Sequence, residues 1–146
     1  VNIPLYLSDG FKNIVNDSIN TAIISGMGTN NILKIINNAP NNMQKYIISS
    51  NNNYYLLRKS LLKKHFYLEK EIVIKENNKY YPIMLFTKNY IYNNKLVLKY
   101  GKSNNLEYFN YLYNKEKNIL KNIPYKYFLK RIKHLYNLKK IKKLLK

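Results

Sequence analysis

Three short polar clusters each close an apolar run, and they are where chemistry could reside: Ser8-Asp9-Gly10, Ser25-Gly26-Met27-Gly28 and Ser49-Ser50-Asn51. Glycine at such a place lets the backbone approach a ligand closely or take a positive φ. Asp9 offers a carboxylate able to accept a hydrogen bond from an exocyclic amine such as that of adenine. In open α/β sheets, ligands bind beyond the carboxyl ends of the strands. Turn chemistry accounts for any one cluster alone; three together point to a site without naming its reaction.

The elements that must hold these clusters follow from the apolar periods. Residues 2–7 and 18–25 read as strands, with a short helical turn at residues 11–15 between them. Ile32, Leu33, Ile35 and Ile36 recur at helical spacing until Ala39-Pro40 stops the helix. Residues 45–49 form a third strand. Residues 53–64 form a helix with Tyr54, Leu57, Leu61 and Leu62 on one face and Arg58, Lys59, Lys63 and Lys64 on the other. Residues 66–76 and 79–86 are strands joined at Asn77-Asn78, a pair that tolerates the positive φ of a hairpin turn. This is an α/β order with an antiparallel finish. "AIIS" and "YIIS", short and continuously apolar, are expected to be buried on both faces.

The rest of the chain is different. Residues 1–86 carry 10 basic and 5 acidic groups, whereas residues 87–146 carry 16 and 2, so the net charge rises from +5 to +14 across a boundary placed at residues 87–89. Two helices are expected beyond it. Over residues 105–122, Leu106, Phe109, Leu112, Tyr113, Ile119 and Leu120 form one apolar stripe. Over residues 125–145, Phe128, Ile132, Leu135, Leu138, Ile141 and Leu145 form another. Pro124 is placed to open the second helix, and the two should pack as an antiparallel hairpin.

A formal charge of +19 on 146 residues predicts an anionic partner. An A/T-rich coding sequence explains part of the lysine content but not the shortage of acid. The chain has no cysteine. His65 and His134 stand far apart with no carboxylate cluster, so neither a thiolate site nor a catalytic metal is expected. His65 reads as a residue at a helix C-terminus and His134 as part of a helical face. No apolar run is long enough to span a membrane, and an interfacial helix is disfavoured because the last helix has a partner. A cytoplasmic monomer is the expectation. The chain begins at Val1, inside an apolar run, which suggests a missing N-terminal part.

The series "SDGF", "INTAIISGMGTNNILKII" and "YIISSNNNYYLLRKSLLKKHFYLEKEIVIKENNKYYPIMLF" resembles the bacterial tRNA (adenine-22-N1)-methyltransferase family, the TrmK-like enzymes. Asp9-Gly10, Ser25-Gly26-Met27-Gly28, Asn51, Arg58 and Leu61 match its successive motifs. Tyr67, Glu71, Ile72, Val73, Glu76 and Tyr81 match its hairpin. The resemblance covers residues 5–86 and extends loosely over the helical tail, where the family carries a coiled-coil domain. It departs at Thr29, where the family has a second glycine, and at Ser49-Ser50, where it has Gln-Pro. The family's first two strands and Gly-rich cofactor loop have no counterpart here.

The resemblance implies a partial Rossmann-like class I methyltransferase sheet over residues 1–88, followed by a basic helical hairpin over residues 89–146. It implies S-adenosylmethionine-dependent methylation of N1 of an adenine in tRNA. Gly26, Met27, Gly28 and Asn51 would line the pocket for the methyl group and a flipped base. Asp9, Gly10, Ser25 and Gly26 would hold the cofactor, with Asp9 near its adenine. Lys126, Lys130, Arg131 and Lys133 would form a cationic rail for the tRNA backbone, continued by Arg58, Lys59, Lys63 and Lys64. Tyr54 and Tyr55 are candidates to stack on a base. The alternatives are a non-catalytic RNA-binding remnant and a nucleotide-binding protein of unrelated chemistry.

Overall fold

The computed structural model describes residues 5–14 and 18–145. These divide into two compact units, at Lys102 and Ser103; the charge step at residues 87–89 falls inside the first.

The first unit is built on β1 (Thr21–Met27), α1 (Thr29–Asn37), β2 (Lys45–Ser50), α2 (Tyr54–Lys63), β3 (Tyr67–Glu76), β4 (Lys79–Thr87) and α3 (Lys95–Tyr100). The sheet order is β1-β2-β4-β3. β1 and β2 run parallel, and α1 makes the crossover that a parallel pair requires. β4 pairs antiparallel with both β2 and β3. Asn77 and Asn78 both take positive φ, +47° and +60°, so the β3–β4 hairpin turns in two residues. α2 ends with His65 at φ +59° and with bonds from the His65 N–H to Leu62 O and from the Phe66 N–H to Leu61 O. That pattern satisfies two terminal carbonyls, and the two buried side chains Leu61 and Phe66 accompany it.

One face of the sheet carries the core. Ile24, Tyr46, Ile48, Leu68, Met84 and Phe86 point to it and meet Ile32 and Ile36 of α1 and Leu57 and Leu61 of α2. Burial alone pushes the Tyr46 phenol up to about 12, so it remains a neutral core residue. The expectation of two buried faces fails. Ile23 is 73% exposed, and Ile47 is only half-buried, because α1 and α2 both pack into the one core cluster.

Other boundaries also move. Residues 2–7 were expected to be a strand; residues 1–4 lie outside the described residues. Residues 5–7 pair with no strand, and Leu5 and Leu7 lie open to solvent. Of the expected helical turn at residues 11–15, a turn remains, with Ile14 N–H bonded to Phe11 O; Val15 lies outside the described residues. The short helix α3 answers to no periodic run, and Asn94 caps it by accepting from the Leu96 and Val97 N–H groups.

The second unit is α4 (Leu106–Lys121) and α5 (Phe128–Lys142), packed against each other. Glu116 accepts from Asn137 and bonds His134, while Arg131 reaches Leu120 O. Contacts that descend one helix as they ascend the other make the pair antiparallel. The stripe expected along α5 is only partly buried. Ile141 is inside, but Phe128, Ile132 and Leu135 are exposed, and Asn137 takes an interior position on Glu116 instead.

Candidate active site

β1 does not stop at Gly26; it continues to Met27 through an irregularity. Ile24 pairs with Ile48 and Met27 with Ser50, so Ser25 and Gly26 together face Ser49. This is a bulge, and Gly26 supplies its positive φ of +78°. Strict alternation would put Met27 on the face opposite Ile24. The extra residue returns it to Ile24's side, half-buried against the core. Gly28 then serves as the extended cap residue of α1. The two glycines that bracket the methionine thus have different tasks: one turns the strand, the other starts the helix.

The loop after β1 is fastened to the loop after β2. The Asn51 N–H donates to Met27 O at 3.0 Å. Thr29 N–H donates to Asn52 Oδ1 at 3.2 Å, and Thr29 Oγ1 to Asn52 O at 2.6 Å. Ser50 Oγ lies 2.9 Å from Thr29 Oγ1. Ser50 Oγ also reaches Asn52 O, at 2.9 Å, so the two hydroxyls share that carbonyl as acceptor. Thr29 and Ser50 are both buried. Thr29 and Ser50, two of the three residues that depart from the resembled pattern, thus belong to one hydrogen-bonded cluster. Thr29→Val removes the shortest of these bonds while Ser50 still reaches Asn52 O, and should cost about 0.5–1.5 kcal/mol, read from urea unfolding.

Beside this clamp is a cleft of about 620 Å³, lined among others by Asp9, Lys12, Met27, Asn31, Lys34 and Ile35. The Asp9 turn is packed onto α1: a Cβ on Gly10 would lie 3.1 Å from the Ile35 side chain. Asp9 is exposed and pairs with Lys12 at 2.6 Å. The hydrogen bond from Lys12 and its charge hold the Asp9 carboxyl below the usual carboxylate range, so at neutral pH it is an anionic acceptor.

Asp9 and Met27 thus line one cleft that runs along α1 as far as Asn37 and Asn38; Gly10 packs on Ile35 near the end of that helix, and Gly28 stands at its start. Ser25 and Gly26 are exposed on the bulge, and the Asn51 side chain is exposed. Sequence reasoning missed Asn52, Thr29, Lys12 and Lys34. Asn52 sits in an Asn run that reads as composition. Its only signal was its position, one residue beyond a strand-end cluster.

One cationic candidate is corrected. Arg58 is 1% exposed and paired with Glu71, so it does not belong to a surface rail. Arg131 Nη1 donates to Leu120 O and Ile123 O. Lys59, Lys63, Lys64, Lys126, Lys130 and Lys133 are exposed. Tyr54 is half-buried and bonded to Tyr80 O, whereas Tyr55 is exposed beside Lys59. Among the described residues, no cluster of three or more histidines or carboxylates could hold a metal, and no helix is long and apolar enough to cross a membrane.

Residues 1–84 match the family described as a methyltransferase domain. The chain belongs to that family. The fold of this methyltransferase is shared with TrmK of M. capricolum, solved with the natural cofactor product S-adenosyl-homocysteine: 28% identity, TM-score 0.76, covering 96% of this chain and 67% of that one. A protein of the NADB-Rossmann superfamily from Streptococcus agalactiae matches at 24% identity and TM-score 0.82, over 97% of this chain and 67% of its own. The B. subtilis M1A22 tRNA methyltransferase TrmK matches at 15% identity and TM-score 0.74, over 95% and 68%. No curated protein sequence matches.

Proposed function

We propose that this chain contributes to S-adenosylmethionine-dependent methylation of N1 of an adenine in tRNA. One observation carries the reading: Asp9 lines one cleft with Met27, which is the carboxyl-terminal residue of β1, and strand ends of that kind are where α/β folds place their ligands. The methyltransferase family match and the likeness to TrmK of M. capricolum support it.

The cleft's residues fit the adenosine part of such a cofactor. Its size is that of a small-molecule site. Met27 and Ile35 give it apolar wall, and Asp9 and Asn31 give it an acceptor and an amide. S-adenosylmethionine supplies an electrophilic methyl group on a sulfonium. Methyl transfer asks little of side chains beyond alignment of the nucleophile. The Thr29–Ser50–Asn52 clamp provides rigidity, keeping the Met27-Gly28 backbone fixed against Asn51. Lys12 must share Asp9 with an incoming amine, or leave it.

tRNA as partner is supported by charge. Residues 103–146 carry 12 basic and 2 acidic groups, net +10. Lys126, Lys130 and Lys133 suit the phosphate backbone, with Lys59, Lys63 and Lys64 of the first unit as further contacts.

Calorimetric titration with S-adenosylmethionine tests the reading. Wild type should bind, and Asp9→Asn should bind about tenfold more weakly, the value of one charge-assisted hydrogen bond, with tRNA affinity unchanged. No cofactor binding by a folded chain that still binds tRNA would make it a non-catalytic RNA-binding protein.

A further inference from the structure

The turn between α4 and α5 holds a second cleft, of about 410 Å³, that the methyl-transfer reading does not use. Lys117, Lys121, Tyr125 and Arg131 line it, with Ile123 and Pro124. Its lining holds three cations and no acid. Arg131 is fixed there: Nη1 donates to Leu120 O at 3.2 Å and to Ile123 O at 2.5 Å, satisfying carbonyls at the end of α4. The same guanidinium lies 4.2 Å from the ring centroid of Tyr125. Tyr125 is nonetheless 85% exposed, so one ring face rests on Arg131 and the other is open. Tyr127, the next aromatic, carries Lys130 at 5.0 Å and Lys126 at 5.4 Å.

We propose that this turn is a binding site for an unpaired RNA nucleotide, its base stacked on the open face of Tyr125 and its flanking phosphates on Lys117 and Lys121. The inference rests on RNA being the partner, and it specifies which element of the RNA is held. An anchored aromatic ring among cations is the pattern that binds unstacked bases. A duplex offers such a ring only its backbone, since its bases are stacked inside. The cleft is lined by cations with no acid. The exposed apolar stripe of α5, Phe128, Leu129, Ile132, Leu135 and Tyr136, is no part of that lining, and vesicles test it as the rival surface.

The test uses the whole chain with a fluorescein-labelled oligoadenylate, an RNA duplex and phosphatidylglycerol vesicles. Tyr125→Ala should weaken oligoadenylate binding about 5- to 100-fold, the worth of one base–aromatic stack. Tyr125→Phe should keep it, and duplex affinity should not change. Lys117→Ala and Lys121→Ala should each lower the salt slope of oligoadenylate binding by about one. Tyr125 is solvent-exposed, so these variants should fold, as far-ultraviolet circular dichroism will show. Equal oligoadenylate affinity for wild type and Tyr125→Ala overturns the proposal. So does an equal loss on the duplex, or a loss confined to vesicles. Oligonucleotide binding needs no cofactor, so a failure of the methyl-transfer reading is seen separately, in the titration with S-adenosylmethionine.

Discussion

Arg58→Ala should lower the unfolding free energy by about 3–5 kcal/mol, the cost of leaving a buried charge without its partner. The side chains of Arg58 and Glu71 are 1% and 0% exposed. Arg58 Nη2 donates to Glu71 Oε1 at 2.5 Å, and Nη1 donates to Leu98 O at 3.4 Å. The other carboxylate oxygen, Glu71 Oε2, accepts the Lys102 N–H at 2.7 Å. The pair therefore ties α2, β3 and the α3 segment at one point. Without the guanidinium, Glu71 keeps one backbone donor for a full charge. Replacing both residues by methionine should cost much less, since no uncompensated charge remains. Denaturant titration measures both variants. A loss below about 1 kcal/mol for Arg58→Ala would mean that water reaches Glu71.

Gly101→Ala should be nearly as damaging, by a different route. Gly101 has φ +97°, and a Cβ there would come within 3.0 Å of both Glu71 carboxylate oxygens. That carboxylate is not a flexible surface group able to step aside; it is buried and held by Arg58 and Lys102. Backbone strain of about 1–3 kcal/mol adds to displacement of the pair. Gly26→Ala is the control. Its φ of +78° brings the same strain, but its Cβ would meet nothing within 4 Å. Gly101→Ala should exceed Gly26→Ala clearly. Combined with Arg58→Ala it should be less than additive, because both act on Glu71.

What the sequence disclosed followed from local physics. The hairpin was readable because Asn77-Asn78 meets a conformational demand within the turn itself, and α1 and α2 because their apolar periods match the face they bury. Arg58 shows where such reading stops. On a helical wheel it sits among Lys59, Lys63 and Lys64; its partner Glu71 lies on β3, and no periodicity reports a contact across that distance. The bonds of Arg131 were equally hidden, since its acceptors are carbonyls, which have no letter in a sequence. Ile23 misleads for another reason: an apolar run shows that a strand can be covered on both sides, not that it is. Gly26 and Gly28 stood out in the sequence, yet the bulge that separates their tasks appears only in the pairing register. Asn52 was hidden by its neighbours, in a chain so rich in asparagine that one more carried no signal.

The charge of the helical unit has a thermodynamic consequence. Twelve cations and two acids occupy residues 103–146, and one of those acids, Glu116, is taken up by Asn137 and His134. Folding brings these cations together, so self-repulsion is set against the hairpin in dilute buffer. A polyanion that binds the assembled helices, but not the separated chain, removes that repulsion. Its binding energy then appears as folding stability, rising with the logarithm of its free concentration. The melting temperature of α4 and α5 would then gauge how fully such a polyanion occupies the hairpin.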